Sequence, residues 1–249
     1  MRIGLMGFGK TGKAVANAIL QHSDFTLVWA IRRKKIMDNR SVAEFLGIEM
    51  EGGGHIFSSE TKNVENLLTK YPVDIIIDFS SSKGIWYYGT EASKRGIKII
   101  SAISHYEEDD LKFLTSLSVQ STVFWSPNIT IGINFLLLSS KYLKKIAPTA
   151  DIEIIEEHFK QKEGVSGTAL KIAEALEINK SDINTVRAGG IVGKHEIIFG
   201  FPYQTVRLIH ESISREAFGN GVIFVAQNLE NKGPGFYNFE ELLMPYFGG

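Results

Sequence analysis

The stretch Arg2-Ile3-Gly4-Leu5-Met6-Gly7-Phe8-Gly9-Lys10-Thr11-Gly12 runs a short apolar strand, Arg2 to Met6, into glycines at G-x-G-x-x-G spacing. A helix follows, its apolar stripe formed by Val15, Ala18 and Ile19. Between a strand and a helix this pattern specifies dinucleotide binding. The first glycine permits the tight turn, the second lets backbone meet pyrophosphate, and the third allows the helix to pack close to the strand. Gly7, Phe8, Gly9, Lys10, Thr11 and Gly12 are therefore candidate cofactor contacts. Gly4 to Thr11 also spells G-x-x-x-x-G-K-[ST], the phosphate loop of nucleotide hydrolases, and Ile75-Ile76-Ile77-Asp78 could supply a magnesium-holding strand end. Strand length separates the two, because a loop starting at Gly4 leaves only Met1 to Ile3 for a strand that usually has about 5 residues.

Outward from this loop the alternation continues. A second strand, Phe25 to Ile31, ends in Arg32-Arg33-Lys34-Lys35, where an NAD-preferring protein would place an acid for the ribose hydroxyls. Cations there favour the 2′-phosphate of NADP, with Arg33 the main candidate and Arg32 beside it; a solvated basic turn is the bland alternative. Val73 to Ser80 is a near-continuous apolar run, as expected of a parallel strand covered on both faces. Helix at Lys83 to Arg95, strand at Ile97 to Ile103, helix at Glu107 to Leu117 and strand at Thr122 to Trp125 complete an α/β, doubly wound, Rossmann-type sheet. Ligands bind at the carboxyl ends of such strands, which adds Ser80, Ser101, Ala102, Ile103, Ser126, Pro127, Asn128 and Ile129 to the expected groove.

Beyond a long apolar helix, Ile129 to Ile146, the pattern changes. Asp151 to Glu157 reads as a strand with Ile152 and Ile154 on one face, and Ala169, Ile172, Ala173 and Leu176 recur at helical spacing. Between them lie His158, Phe159, Lys160, Lys162 and Ser166-Gly167-Thr168. Ser166 suits an N-cap, so the amides of Gly167 and Thr168 would be donors for a carboxylate or phosphate. A lone histidine is more often structural than catalytic, but with Lys162 four residues on and a helix start beside it the cluster is built to hold an anion and move protons. Asn184 to Ser214 alternates apolar and polar residues and predicts antiparallel strands, and a last helix is expected to begin at Gly219-Asn220-Gly221. These boundaries predict a dinucleotide-binding domain over 1–128, completed by 219–249, and a smaller α+β substrate and oligomerisation domain over 129–218.

His158, Lys162 and Ser166-Gly167-Thr168-Ala169 resemble the signature of the 4-hydroxy-tetrahydrodipicolinate reductase (dihydrodipicolinate reductase) family. Asp78-Phe79-Ser80, Pro127-Asn128, Arg187 to His195 and His210 to Arg215 are similar to that family as well, so the likeness runs along most of the chain. It implies an NADPH-dependent reductase of lysine and diaminopimelate biosynthesis, with NADH also possible. It further implies proton donation or substrate polarisation by His158 and Lys162, anchoring of a small dicarboxylate by Ser166, Gly167 and Thr168 with Lys160 adding positive field, and a homotetramer. The chain departs from the family where Phe159 replaces a second histidine, where Glu163-Gly164-Val165 is shorter than usual, and where Ser101-Ala102-Ile103 replaces Gly-Thr-Thr beside the nicotinamide. Phe159 cannot donate to a carboxylate and is expected to pack as core or pocket wall. These departures keep open a cofactor-binding homologue with weak or lost activity, and the Gly4 loop keeps open the hydrolase.

With 249 residues, 44% apolar residues and a formal net charge of −1, the chain can bury a substantial core and lacks the basic excess of a nucleic-acid or membrane-surface protein. No cysteine occurs, so disulfide and thiolate chemistry are excluded. Lys10 and Lys13 interrupt any signal-peptide-like run, and a cytoplasmic location is expected. His22, His55, His105, His195 and His210 show no metal-ligand spacing, so no metal is expected.

Overall fold

The computed structural model describes residues 1–36 and 38–247. The chain divides into two compact units, Met1–Ile129 with Phe218–Gly249, and Thr130–Ala217.

The first unit alternates strand and helix: β1 (Arg2–Met6), α1 (Lys10–Leu20), β2 (Thr26–Arg32), α2 (Val42–Leu46), β3 (His55–Ser58), α3 (Val64–Lys70), β4 (Ile75–Asp78), α4 (Gly84–Lys94), β5 (Lys98–Ser101), α5 (Glu108–Ser116) and β6 (Thr122–Trp125). The seven-stranded sheet has the order β11-β6-β5-β4-β1-β2-β3, where β11 is Gly235–Tyr237, and every pairing is parallel. Ile3, Leu5, Ile75, Ile76, Ile77, Ile99, Ile100, Val123 and Phe124 are fully buried, which is why the central strands read as unbroken apolar runs. The strand order reverses between β1 and β4, the place where a doubly wound sheet opens a crevice at its carboxyl edge.

Two glycines make that edge possible. Gly7 has φ +93°, and a Cβ there would lie 2.6 Å from the Phe79 carbonyl; at Gly12 it would lie 1.8 Å from the Gly7 carbonyl oxygen. Gly4, by contrast, lies inside β1, where a Cβ would collide with the Trp29 indole at 2.2 Å. The hydrolase reading is thereby corrected: Gly4 is a strand residue packed on Trp29, and Asp78, fully buried at the end of β4, is closed off from any cleft-bound cation.

The second unit contains α6 (Ile131–Ile146), β7 (Asp151–His158), α7 (Gly167–Ala175), β8 (Ile183–Arg187), β9 (Lys194–Phe201) and β10 (Gln204–Glu211). Its sheet has the order β10-β9-β7-β8, and Ile133 and Leu136 of α6 and Ile172 of α7 share one core with Ile154, Ile197 and Phe199. The antiparallel expectation holds for β9 and β10 and fails for β8, which runs parallel to β7. Helix α7 is the reason, since a crossover helix returns the chain to the end where β7 began.

The last helices are α8 (Glu216–Leu229) and α9 (Phe239–Leu243). Helix α8 starts before Gly219, contrary to the sequence expectation. Gly219 is buried inside it, and a Cβ there would stand 2.4 Å from the Ala18 methyl of α1, so this glycine serves close helix packing. Among the described residues no helix is long and apolar enough to cross a membrane.

Candidate active site

At the carboxyl edge of the first unit a cleft of about 430 Å³ is lined by Gly7, Phe8, Gly9, Arg32, Arg33, Lys34, Phe79, Ser80 and Ser81. Phe8 is itself buried, edge-on to Phe45 at 5.6 Å, so it offers the cleft backbone only. Gly9 is the N-cap of α1 without a side-chain cap, and a Cβ on it would meet nothing within 4 Å. The fold therefore explains Gly7 and Gly12 but not Gly9, whose bareness suits an approaching phosphate. Lys10 is exposed and Thr11 half-buried in the first turn of the same helix. The basic turn is fixed through its backbone, Ser59 donating to the Arg32 carbonyl at 2.9 Å and the Ser58 hydroxyl to that of Arg33 at 2.7 Å. A pyridine dinucleotide fits these groups, with amides and a bare glycine for the pyrophosphate and guanidinium groups beside it.

The rest of the expected groove is distributed differently. Asp78 accepts from the Ser80 amide at 2.7 Å, the Ser80 hydroxyl at 2.6 Å and the Tyr88 hydroxyl at 3.0 Å, which shapes the turn under the cleft. Burial raises the Asp78 carboxyl to about 6, against the lowering effect of those hydrogen bonds. Ser101 is buried with its hydroxyl 2.7 Å from that of Tyr106, and Ile103 belongs to the main core. The bulk that distinguishes Ile103 from a family threonine is thus absorbed inward, and of the three only Ala102 is partly exposed. Ser126 is buried and donates to the Asn128 carbonyl at 2.6 Å, Ile129 is fully buried, and Pro127 and Asn128 are half-buried. The side chains of Ser101, Ile103, Ser126 and Ile129 therefore lie in the interior, and what these four positions turn toward the groove is backbone.

In the second unit β7 delivers its even-numbered side chains to the covered face, which buries Glu156 completely and His158 to 8% exposure. The Glu156 carboxylate lies 3.2 Å from His158 Nδ1, though off hydrogen-bond alignment. It also accepts from the Ser166 amide at 3.2 Å and from Arg187 of β8 at 2.5 Å. Arg187 donates further to the carbonyls of Lys162 at 3.0 Å and Gly164 at 2.6 Å, holding the loop between β7 and α7. His195 of β9 sits edge-on to His158 with ring centroids 5.4 Å apart, and its Nε2 is 3.1 Å from the Ser166 hydroxyl. That hydroxyl accepts from the Ala169 amide at 3.0 Å and is the expected N-cap of α7. Gly167 begins α7 exposed, with open space where a Cβ would be.

Burial lowers the pKa of His158; Glu156 opposes this, while Lys162 and Arg187 add to it. Burial and the neighbouring His158 push His195 down to about 4, so it is neutral near pH 7. Burial would raise the Glu156 carboxyl, but the Ser166 and Arg187 hydrogen bonds and His158 outweigh it and bring the pKa down.

His158, Lys162, Ser166 and the α7 tip are thus assembled at one place. Lys162 is half-buried, Lys160 is exposed, and Phe159 is 41% exposed, so it is not a core residue. Glu156, Arg187 and His195 were not singled out individually from sequence. The signal for Glu156 was its parity with Ile152, Ile154 and His158 on one strand face. His195 and Arg187 come from other strands, and register alone brings them in. Glu156, His158 and His195 place ligand-type atoms within 4.8 Å of one another, so the histidines are less scattered than their spacing suggests. The Arg187 guanidinium on the same carboxylate opposes a cation, and the trio reads as a proton-handling group.

A parallel sheet with a bare glycine turn and a basic turn, in one chain with an imidazole, an ammonium and an amide-bearing helix tip, defines a pyridine-nucleotide-dependent reductase of an anionic substrate. The chain belongs to the dihydrodipicolinate reductase family, the NAD(P)H-dependent oxidoreductases of lysine and diaminopimelate biosynthesis, because the family's N-terminal model matches residues 1–129 and its C-terminal model residues 132–243. It is 31% identical to the 4-hydroxy-tetrahydrodipicolinate reductase of Caldanaerobacter subterraneus subsp. tengcongensis, with 94% of each chain covered. The corresponding Buchnera aphidicola enzyme is 26% identical, over 99% of this chain and 98% of that one. In fold it is similar to the dipicolinate-bound dihydrodipicolinate reductase of Paenisporosarcina sp. TG-14, with a TM-score of 0.80 and 22% identity over 97% of this chain and 98% of that one.

Proposed function

We propose that this chain reduces 4-hydroxy-tetrahydrodipicolinate to tetrahydrodipicolinate, preferring NADPH and accepting NADH, as a cytoplasmic homotetramer. The observation that carries the reading is the convergence of His158, at the end of β7, and Lys162, on the loop that follows, with the α7 tip at Gly167. A bound reduced nicotinamide supplies the hydride. The substrate loses its hydroxyl as water, takes up hydride at a conjugated carbon, and needs one proton at the position to which the ring electrons move. His158 and Lys162 hold that proton and deliver it. The first-turn amides of α7 and the Thr168 hydroxyl orient one carboxylate, and Lys160 adds positive charge around the dianion. Cofactor preference rests on Arg32 and Arg33 beside the cleft, guanidinium groups suited to a phosphate monoester. The reaction consumes reduced dinucleotide, which fits a cytoplasmic site.

An assay in which the substrate is generated in place, comparing NADPH with NADH consumption, tests this reading. Absorbance loss dependent on that substrate and faster with NADPH is expected. Tight NADPH binding without consumption would leave the inactive homologue as the better description.

A further inference from the structure

Glu156 is a fully buried carboxylate that touches no solvent, yet every element of the second-unit site reaches it. His158 faces it from its own strand at 3.2 Å, the Ser166 amide from the start of α7 at 3.2 Å, and Arg187 from β8 at 2.5 Å. Arg187 in turn holds the carbonyls of Lys162 and Gly164, so one ion pair joins the ring, the ammonium-bearing loop and the helix tip. The other charged or titratable groups facing His158 are Lys162 on the loop and His195 on β9, and neither offers it a negative charge.

We propose that Glu156 and Arg187 are the positioning pair of this site: Glu156 acts through the His158 ring as its counter-charge, and Arg187 acts through the loop carbonyls to present Lys162 beside it. The inference rests on the acid role proposed above for His158. A buried imidazole next to an ammonium and a guanidinium loses its proton readily, and an ionised carboxylate at this distance is what opposes that loss. The lowered pKa of Glu156 keeps that carboxylate ionised at neutral pH. Arg187 is suited to the second task because its planar fork serves four acceptors at once, the Glu156 carboxylate and the carbonyls of Lys162, Gly164 and Val186, one more than the three N–H groups of an ammonium.

Glu156→Gln keeps the shape and an oxygen for the Ser166 amide while removing the charge. In 15N-histidine spectra of the full chain, the His158 midpoint is expected to fall by about one pH unit in E156Q. The descending limb of kcat/KM should move down with it, and the affinity for NADPH should stay within about twofold. Arg187→Lys should leave the His158 midpoint near wild type but lower kcat about tenfold through the loosened loop. Glu156→Asp, which retains the charge, should recover most of the midpoint. A folded E156Q with an unmoved His158 midpoint overturns the proposal. If E156Q does not fold, E156D and R187K decide: a His158 midpoint in E156D lowered by about one pH unit although the charge is kept, or an undiminished kcat in R187K, overturns it. A lowered midpoint with turnover unchanged upholds the electrostatic pairing and removes instead the acid role of His158.

Discussion

The proposed chemistry concentrates in two side chains, His158 and Lys162, whose roles differ from those of their supports. His158→Ala and Lys162→Ala are each expected to lower kcat by about 10²-fold or more, the usual scale for a positioned proton donor, with NADPH affinity unchanged. Equal loss of turnover and cofactor affinity in steady-state and binding measurements would contradict that division. Because burial holds the free His158 below its ordinary midpoint of 6.5, its acid form is lost as pH rises through a lower value. The profile of kcat/KM should therefore fall with rising pH at a midpoint below 6.5, and that of kcat, measured with the dianion bound, at a higher one; a flat profile from pH 5.5 to 8 would be inconsistent. Asp78 gives the opposite kind of test, on stability. Its folded carboxyl is raised to about 6 from 3.8, so the native state holds this proton more tightly than the unfolded chain does. That contribution is present at acid pH and lost as pH rises through about 6, a difference of about 3 kcal/mol. Asp78→Asn, which keeps an acceptor for Ser80, should match wild type near pH 4 and exceed it in unfolding free energy at pH 8.

At the scale of elements, the turn from β1 to α1 separates what the fold requires from what a ligand requires. Gly12→Ala would drive a methyl to within 1.8 Å of the Gly7 carbonyl oxygen, so α1 must move from β1 and the unit should lose roughly 2–4 kcal/mol in denaturant titration. Gly9→Ala meets nothing within 4 Å, so its unfolding midpoint should stay close to wild type. If the bare edge exists for pyrophosphate, the same variant should bind NADPH at least tenfold more weakly by fluorescence titration, about 1.4 kcal/mol. Retained affinity would mean that the cofactor does not approach this turn. The turn was legible because glycine spacing between a strand and a helix is local information. The direction of β8 was not, since a period of two marks a strand without saying which way it runs. Short α2 and α3 escaped for a related reason: five and seven residues give too few turns for a helical period to register.

Across the whole molecule, the doubly wound sheet was readable because its central strands are covered on both faces and so appear as apolar runs, Val73 to Ser80 above all. His158, Lys162 and Ser166 were readable because they fall in one short stretch of sequence between the end of β7 and the start of α7. Glu156, Arg187 and His195 meet only through the pairing of β7 with β8 and β9, a relation between distant segments that no local pattern carries. The same sheet holds the remaining question of assembly. Helices α6 and α7 cover the face bearing Ile154 and Ile197, while the opposite face carries Ile155, Ile198, Val186 and Ile209 among the charges of Glu157, Lys194 and Arg207. Val186 is 42% and Ile209 54% exposed on this face. If this face joins copies into the proposed homotetramer, the scattering mass should be about four times the 27.7 kDa of the chain. Ile209→Asp should then shift the mass toward the single chain. An exposed position tolerates the charge, so the unfolding free energy extrapolated for the separated chain should change by less than about 0.5 kcal/mol. A wild-type mass of one chain would refute the tetramer, and an I209D protein that stayed tetrameric would move the contact to another surface.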